Sequence, residues 1–448
     1  MKKDRKAVNM ITDSPGRALL LFALPMILGN LFQQFYNIMD SVVVGRFVSE
    51  EALASVGASY SITNVFIAIA IGGGIGSSVV VSQFLGAKQL GNMKTAISTT
   101  LINFLTLSVL LGTLGFLFNE PILTWMNTPE NVFADASVYL SIYFVGLPFL
   151  FMYNVQAAIF QSLGDSRTPL YILIACCIVN IVLDLVFVIV FHEGVFGVAL
   201  ATLLAQAFSA VLVTLKLMRS EGMLQLKLSK IRFYRTAFIG QIKLGIPTGI
   251  ESILFAITNI AIQASLNSFG TDTTAAWSAY GKLDAIFWMI NTAFGISITT
   301  FVGQNYGAGK TDRIKKSVKV CLGMELVTAF VMVVFLIVTR GFLFRMFTSD
   351  ANVIQIGSDM LVLIAPWYIV YVFIEILAGA LRGIGDVIVP VIITLGGICV
   401  LRIVWLAVAL KISPTISAII FSYPVTWILT AVIFIGYYYY KHKKTGIV

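Results

Sequence analysis

The sequence predicts an all-α integral membrane protein: twelve transmembrane helices in two pseudo-symmetric six-helix lobes. Three observations carry that reading. Of the 448 residues, 58% are hydrophobic and only 11% charged, with a mean hydropathy of +0.93; a soluble domain is about 25% charged. Apolar runs of about 20 residues, the length that crosses a bilayer, recur along the whole chain. Landmarks in the first half return in the second at a nearly constant offset.

The spans read, in order, 16–46, 52–83, 93–118, 132–161, 168–191, 194–219, 238–267, 272–304, 313–338, 352–382, 388–411 and 414–440. The first is too long, and repeated too often downstream, to read as a cleaved leader. The repeat rests on specific residues. Gln83-Phe84-Leu85-Gly86-Ala87-Lys88 returns as Gln304-Asn305-Tyr306-Gly307-Ala308-Gly309, and Gly164-Asp165 with Pro169 as Gly385-Asp386 with Pro390, both shifted by 221. Asn131-Val132 returns as Asn352-Val353 at the same shift, and Leu24-Pro25 as Ile246-Pro247 at 222. Six spans per half is an even number, so both halves insert with the same orientation, related by an axis along the membrane normal. The lobes are expected at 1–219 and 238–448, joined by a basic linker at 220–237. Its mix of charges with Leu224, Leu226, Leu228, Ile231 and Phe233 suits the anionic cytoplasmic leaflet.

The net charge of +9 does not point to nucleic acid, because its distribution follows topology. With the N-terminus inside, 24 lysines and arginines fall on the inner side and four on the outer. That places both termini in the cytoplasm and the protein in the plasma (inner) membrane. The four cysteines lie in apolar runs without metal-ligand spacing, and two histidines make no histidine cluster. Gly303-Gln304-Asn305-Tyr306-Gly307-Ala308-Gly309-Lys310-Thr311 imitates a phosphate-binding loop, but Gln304 stands where that loop needs glycine and a membrane helix precedes it. No catalytic motif is present, so an enzyme is not expected, nor any cofactor.

The chemistry lies in acids inside the spans. In the first span Asn30, Gln33, Gln34, Asn37, Asp40 and Ser41 share one face. An acid at mid-membrane costs roughly 2.5–3.5 kcal/mol on insertion scales and marks a functional site by default. In the fifth span Asn180 and Asp184 are one turn apart, and in the sixth Thr202 and Gln206 are too. The second half lacks the pair: Asp40 aligns with Ile262 or Gln263, and Asn180 and Asp184 with Leu401 and Trp405. A duty common to both lobes would not need that asymmetry. Asp40 and Asp184 either share a proton or, with Asn180 and Thr202, hold a hard cation such as sodium. The bland alternative is a hydrogen-bonded network that stiffens the lobe. In the second half, Trp277, Tyr280, Asp284, Trp288 and Asn291 share a face of span eight, and Tyr368, Tyr371 and Glu375 lie on adjacent turns of span ten. Aromatics with carboxylates suit organic cations; the alternative is plain packing, with Lys282 and Arg402 neutralising the acids. Glu251 is expected to pair with Lys282. Glu325 has no evident partner, and Gly72-Gly73-Gly74-Ile75-Gly76 fits close helix packing.

Twelve spans in two repeats, the early Leu24-Pro25 with Asp40, the paired Gln-x-x-Gly-Ala turns and the paired Gly-Asp-x-x-x-Pro turns resemble the multidrug and toxic compound extrusion (MATE) family over nearly the whole chain. Asp40, Asn180, Asp184 and Thr202 resemble the cation site of its DinF-like branch. The resemblance implies efflux of organic, mostly cationic amphipathic compounds in exchange for H+ or Na+ by alternating access, with bending of the first helix at Pro25. Gln33, Gln34, Asn37, Tyr280, Asp284, Trp288, Tyr371 and Glu375 are the expected substrate-cavity residues. Partners are then small organic cations or drugs and membrane lipids, with the protein a monomer. A related branch is known for carboxylates in spans seven and ten, where Glu251 and Glu375 lie. A flippase for a lipid-linked precursor is the alternative; such cargo needs a strongly cationic cavity, whereas acids outnumber Lys282 and Arg402 within the spans.

Overall fold

The computed structural model describes residues 8–126, 128–219 and 232–448. Among these, twelve helices are long and apolar enough to cross a membrane. They are α1 Pro15–Phe47, α2 Glu51–Gly86, α3 Leu90–Leu117, α4 Glu130–Ser162, α5 Arg167–Val190 and α6 Gly194–Met218 in the first half. The second half has α7 Arg235–Asn267, α8 Thr271–Gly307, α9 Thr311–Arg345, α10 Ala351–Gly383, α11 Ile388–Ile412 and α12 Ile416–Thr445. Each falls on one expected span. Most of the linker expected at 220–237 lies outside the described residues, and α7 begins inside its far end.

The two halves terminate their helices in the same way, which is the repeat written in backbone. After α2, Ala87 N–H donates to Gln83 O and Gln89 N–H to Phe84 O; after α8, Ala308 N–H donates to Gln304 O and Lys310 N–H to Asn305 O. The residues that turn the chain, Lys88 and Gly309, are both left-handed, with φ of 58° and 68°. Gly164 and Gly385 do the same after α4 and α10, at φ of 86° and 88°. The phosphate-loop imitation is therefore a helix-ending turn whose counterpart in the first half has no Gly-Lys pair.

The chain divides into two compact units that do not coincide with sequence boundaries at 219 and 238. One holds Leu24–Gly249; the other holds Asn9–Ala23 with Ile250–Val448. Membership changes within α1 beside Pro25 and within α7 beside Pro247, both inside continuous helix.

In the first unit the glycine run of α2 receives the start of α7. A Cβ on Gly76 would lie 2.6 Å from Gly245 N, and one on Gly72 would lie 3.1 Å from Gly249 N. Thr248 Oγ1 donates to Gly72 O at 3.0 Å, and Gln241 Nε2 donates to Ala96 O and Thr100 Oγ1 of α3. Small residues and polar side chains are what hold helices together where water drives nothing. The core of this unit gathers apolar side chains of α2, α3 and α4 around Phe104, Phe144 and Phe151.

In the second unit the segment before α1 is tied to the turn after α8. Asn305 Nδ2 donates to Met10 O at 3.0 Å. Arg313 donates through Nε to Asn305 Oδ1 and through Nη2 to Met10 O and Asp13 O. Bonds from a charged donor contribute about 1.5–3 kcal/mol each. Arg313→Ala should therefore loosen this segment, read as faster amide hydrogen exchange confined to residues 9–14; unchanged exchange there would show that the bonds contribute nothing.

Candidate functional site: a buried acceptor cluster in the first unit

Asp40 is set by packing of the turn that follows it. One turn further on, Val43 and Val44 are buried against Val188 of α5 and Val195 and Val198 of α6. That seat turns Asp40 toward α5 and α6. On α5, Asn180 and Asp184 are fully buried. The helix then widens into a π-helical turn at Val186–Val190, a departure frequent at functional sites. Thr202 is buried on α6.

The cluster holds more acceptors than donors. Asp40 Oδ1, Asn180 Oδ1 and both oxygens of Asp184 are buried without a hydrogen-bond partner. The Asp40 and Asp184 carboxyls interact directly with each other. The amide donor of Asn180, Nδ2, reaches Thr202 Oγ1 at a long 3.5 Å, and the Thr202 hydroxyl is also paired with that of Tyr36. Tyr36 and Tyr139 border both carboxyls. A small cleft lined by Tyr139, Tyr143, Gly146, Thr202 and Gln206 opens between α4 and α6 at the Thr202 side. Two adjacent carboxyls in a dry site do not both carry charge unassisted. Unmet oxygens of this kind are satisfied by a proton or a hard cation, and the donor set, oxygen throughout, fits both.

Asp40, Asn180, Asp184 and Thr202 thus sit in one cluster. Tyr36 and Tyr139 were not among the residues expected there. Tyr36 lies one turn before Asp40 on the same helix and was legible from spacing; Tyr139, on α4, carries no sequence signal that ties it to the pair.

The expected cavity residues are divided between the two units. Gln33, Gln34 and Asn37 are exposed on α1 in the first. In the second, Asp284 is enclosed by aromatic donors: Tyr280 at 3.1 Å, Tyr368 at 2.5 Å and Trp288 Nε1 at 2.8 Å. Phe287 stacks on Tyr368 with centroids 4.1 Å apart, and Tyr371 meets Trp288 edge-on at 4.7 Å. Tyr280 and Tyr371 are buried, so in this conformation Tyr280 holds Asp284 and Tyr371 packs against Trp288. Glu375 stands outside that network, bonded to Arg382 at 2.6 Å. The expected Glu251–Lys282 pair is not formed: Lys282 is exposed, and the cation acting on Glu251 is Arg382. Arg402 neutralises no acid by direct contact among the described residues; it lies over the Tyr423 ring at 4.0 Å and donates to Thr426.

Comparison with known proteins follows the same lines. The family model described as MatE matches residues 25–186 and again 247–408. The probable multidrug resistance protein YoeA of Bacillus subtilis (strain 168) is 27% identical over 445 residues, covering 97% of this chain and 96% of its own. The probable multidrug resistance protein YpnP of the same organism is 28% identical, covering 89% of each chain. A solved outward-facing multidrug resistance MATE family transporter of the MOP superfamily superposes with a TM-score of 0.91 at 18% identity, over 99% of both chains. That likeness shows the fold.

Proposed function

This chain belongs to the MatE family, and from that premise we propose that it is a secondary active antiporter of the DinF-like branch. It exports amphipathic organic cations in exchange for H+ or Na+ across the plasma membrane, with both termini in the cytoplasm. The observation that carries the coupling site is the acceptor surplus at Asp40, Asn180 and Asp184. Four buried oxygens without donors bind a cation and release it when water or a conformational change supplies other partners.

The cycle follows from the chemistry of these side chains. A proton or sodium ion arriving from outside neutralises the Asp40–Asp184 pair, with the Asn180 and Thr202 oxygens completing its surroundings. Neutralisation removes the charge that attracts an organic cation to the polar face of α1, where Gln33, Gln34 and Asn37 are exposed. The substrate leaves outward, the ion leaves inward, and the pair is charged again. Pro25 cannot donate to the carbonyl four residues before it, which leaves α1 one backbone bond short. It lies where α1 passes from one compact unit to the other, so a change at Asp40 is converted to bending at that point.

The test is reconstitution in proteoliposomes, with ethidium as substrate and proton and sodium gradients imposed separately. One gradient should drive ethidium movement and the other should not; movement indifferent to both would overturn the antiport reading. Pro25→Ala restores the missing donor. It should slow turnover several-fold while leaving ethidium binding within twofold, and a variant that turns over at the full rate would remove Pro25 from the mechanism. Lysine- and arginine-directed labelling from the two sides of sealed spheroplasts tests the orientation.

A further inference from the structure

The second unit holds a buried acid that the cycle above does not use. Glu325 lies in the middle of α9, one turn from Cys321 and one turn from Ala329, both buried on the same face. It is 1% exposed, and neither carboxyl oxygen has a hydrogen-bond partner. Its surroundings can be named helix by helix. On its own helix the nearest titratable group is the Cys321 thiol one turn away, and from α10 the charge of Glu375 acts on it. The start of α1 packs on α9 with Gly16 against Val320 and Met324. Among the described residues, α1, α8 and the remainder of α10 bring no other charged group to it.

Glu375 belongs to a further group. It accepts from Arg382 Nη2 at 2.6 Å and fills a space kept open by α8, where a Cβ on Gly295 would lie 2.1 Å from Glu375 Oε1. Glu251 of α7 faces both Arg382 and Glu375, with Thr394 of α11 at its carboxyl. Arg382 Nε has no partner. Two carboxyls, Glu375 and Glu251, therefore face one guanidinium, and Glu325 reaches that group only through Glu375.

The fold itself does not require an acid there. At the repeat offset of 221, Glu325 corresponds to Phe104, whose ring packs against Gly73 in the core of the first unit. A hydrophobe fills the position in one half and a carboxyl in the other. A bare carboxylate without donors in a dry interior is too costly to persist, and no metal-ligating group of three or more acids, histidines or cysteines occurs among the described residues. We propose that Glu325 is a proton-binding site of the second unit, separate from the Asp40–Asp184 pair, whose occupancy governs the Glu375–Arg382 ion pair. It lies on the ninth helix, whereas Glu251 and Glu375 lie on the seventh and tenth. When the proton is bound, Arg382 belongs to Glu375. When the proton leaves Glu325 for water, a second carboxylate charge acts on Glu375 and alters its pairing with Arg382. Linkage makes the reverse hold as well: whatever removes Arg382 from Glu375 changes the affinity of Glu325 for its proton.

Infrared spectroscopy of the full-length protein in liposomes reads this directly, through the C=O stretch of protonated carboxyl groups. Glu325→Gln should lose the intensity of one protonated carboxyl. The Asp40→Asn, Asp184→Asn double variant should retain the Glu325 band, so failure of the first-unit reading leaves this result intact. Glu375→Gln removes the neighbouring charge and should shift the Glu325 band. Glu325→Leu, apolar and close in size, provides a second protein should the glutamine variant fail to assemble, and should lose the same band. A protonated-carboxyl spectrum identical in wild type and in whichever variant assembles would overturn the proposal. A band that is lost in those variants yet unmoved in Glu375→Gln would overturn its link to the ion pair.

Discussion

Asp184→Asn and Asp40→Asn should each abolish ion-driven efflux while leaving the protein folded and in the membrane. Each replaces a carboxyl by an amide of the same shape, so packing is retained. Relative to the ionised carboxylate, the amide also brings a donor into a cluster whose four buried oxygens lack one. Satisfying a buried acceptor is worth about 1–3 kcal/mol, so Asp184→Asn should melt at a higher temperature than wild type, in the same preparation that fails to transport. The size of the transport defect follows from the coupling. One charge moving through 100 mV contributes about 2.3 kcal/mol, and 1.4 kcal/mol is a factor of ten. Losing one coupled charge therefore lowers the attainable ethidium gradient about fiftyfold. The measurement is steady-state accumulation in proteoliposomes beside thermal stability in detergent. Full coupled transport by both variants would refute the role given to the pair, and a fall in stability at Asp184→Asn would refute the acceptor surplus.

Gly76→Val should be among the most damaging single changes in the first unit. The added Cβ would stand 2.6 Å from Gly245 N and 2.8 Å from Gly245 Cα, both backbone atoms. No rotamer change clears a backbone, so α7 must withdraw from α2. With it would go the Thr248 bond to Gly72 and the Gln241 bonds to α3. Overpacking costs typically about 1–3 kcal/mol and occasionally more; with those bonds lost as well, the total should exceed that range and be seen as degradation or a large fall in melting temperature. Gly323→Ala is the control. Nothing lies within 4 Å of a Cβ there, and alanine is favoured over glycine in mid-helix by about 0.5–1 kcal/mol, so this variant should be as stable as wild type or more so. Equal behaviour of the two would mean that the α2–α7 seam is not tight.

Much of this molecule could be read from hydropathy and repetition, because both are local. Each span is a long, mostly apolar run, and the left-handed turns at Lys88, Gly164, Gly309 and Gly385 follow from two short motifs, each met twice. What depends on neighbours was not legible. Asp40, Asn180, Asp184 and Thr202 stood out as costly or polar residues on striped faces, but Tyr139 looked like any tyrosine in an apolar helix. Helical spacing joined Glu375 to Tyr368 and Tyr371, whereas the side chain instead turns to Arg382, two turns further along α10. Lys282 suits Glu251 by sequence, yet its side chain is exposed. Glu325 was visible as an isolated acid, but isolation in a sequence does not tell whether a cation waits on the next helix.

The start of α7 belongs with Leu24–Gly249, and the start of α1 with Ile250–Val448. The repeated half of the sequence and the compact half of the protein are therefore different objects. A polypeptide ending after α6 would lack the segment that fills the glycine groove of its own α2. One beginning at α7 would lack the strip that Asn305 and Arg313 hold. An ancestral single-repeat chain could have completed this architecture only by trading its first half-helix with a second copy. In the present chain that exchange is internal, and Pro25 and Pro247 lie close to the two places where it occurs.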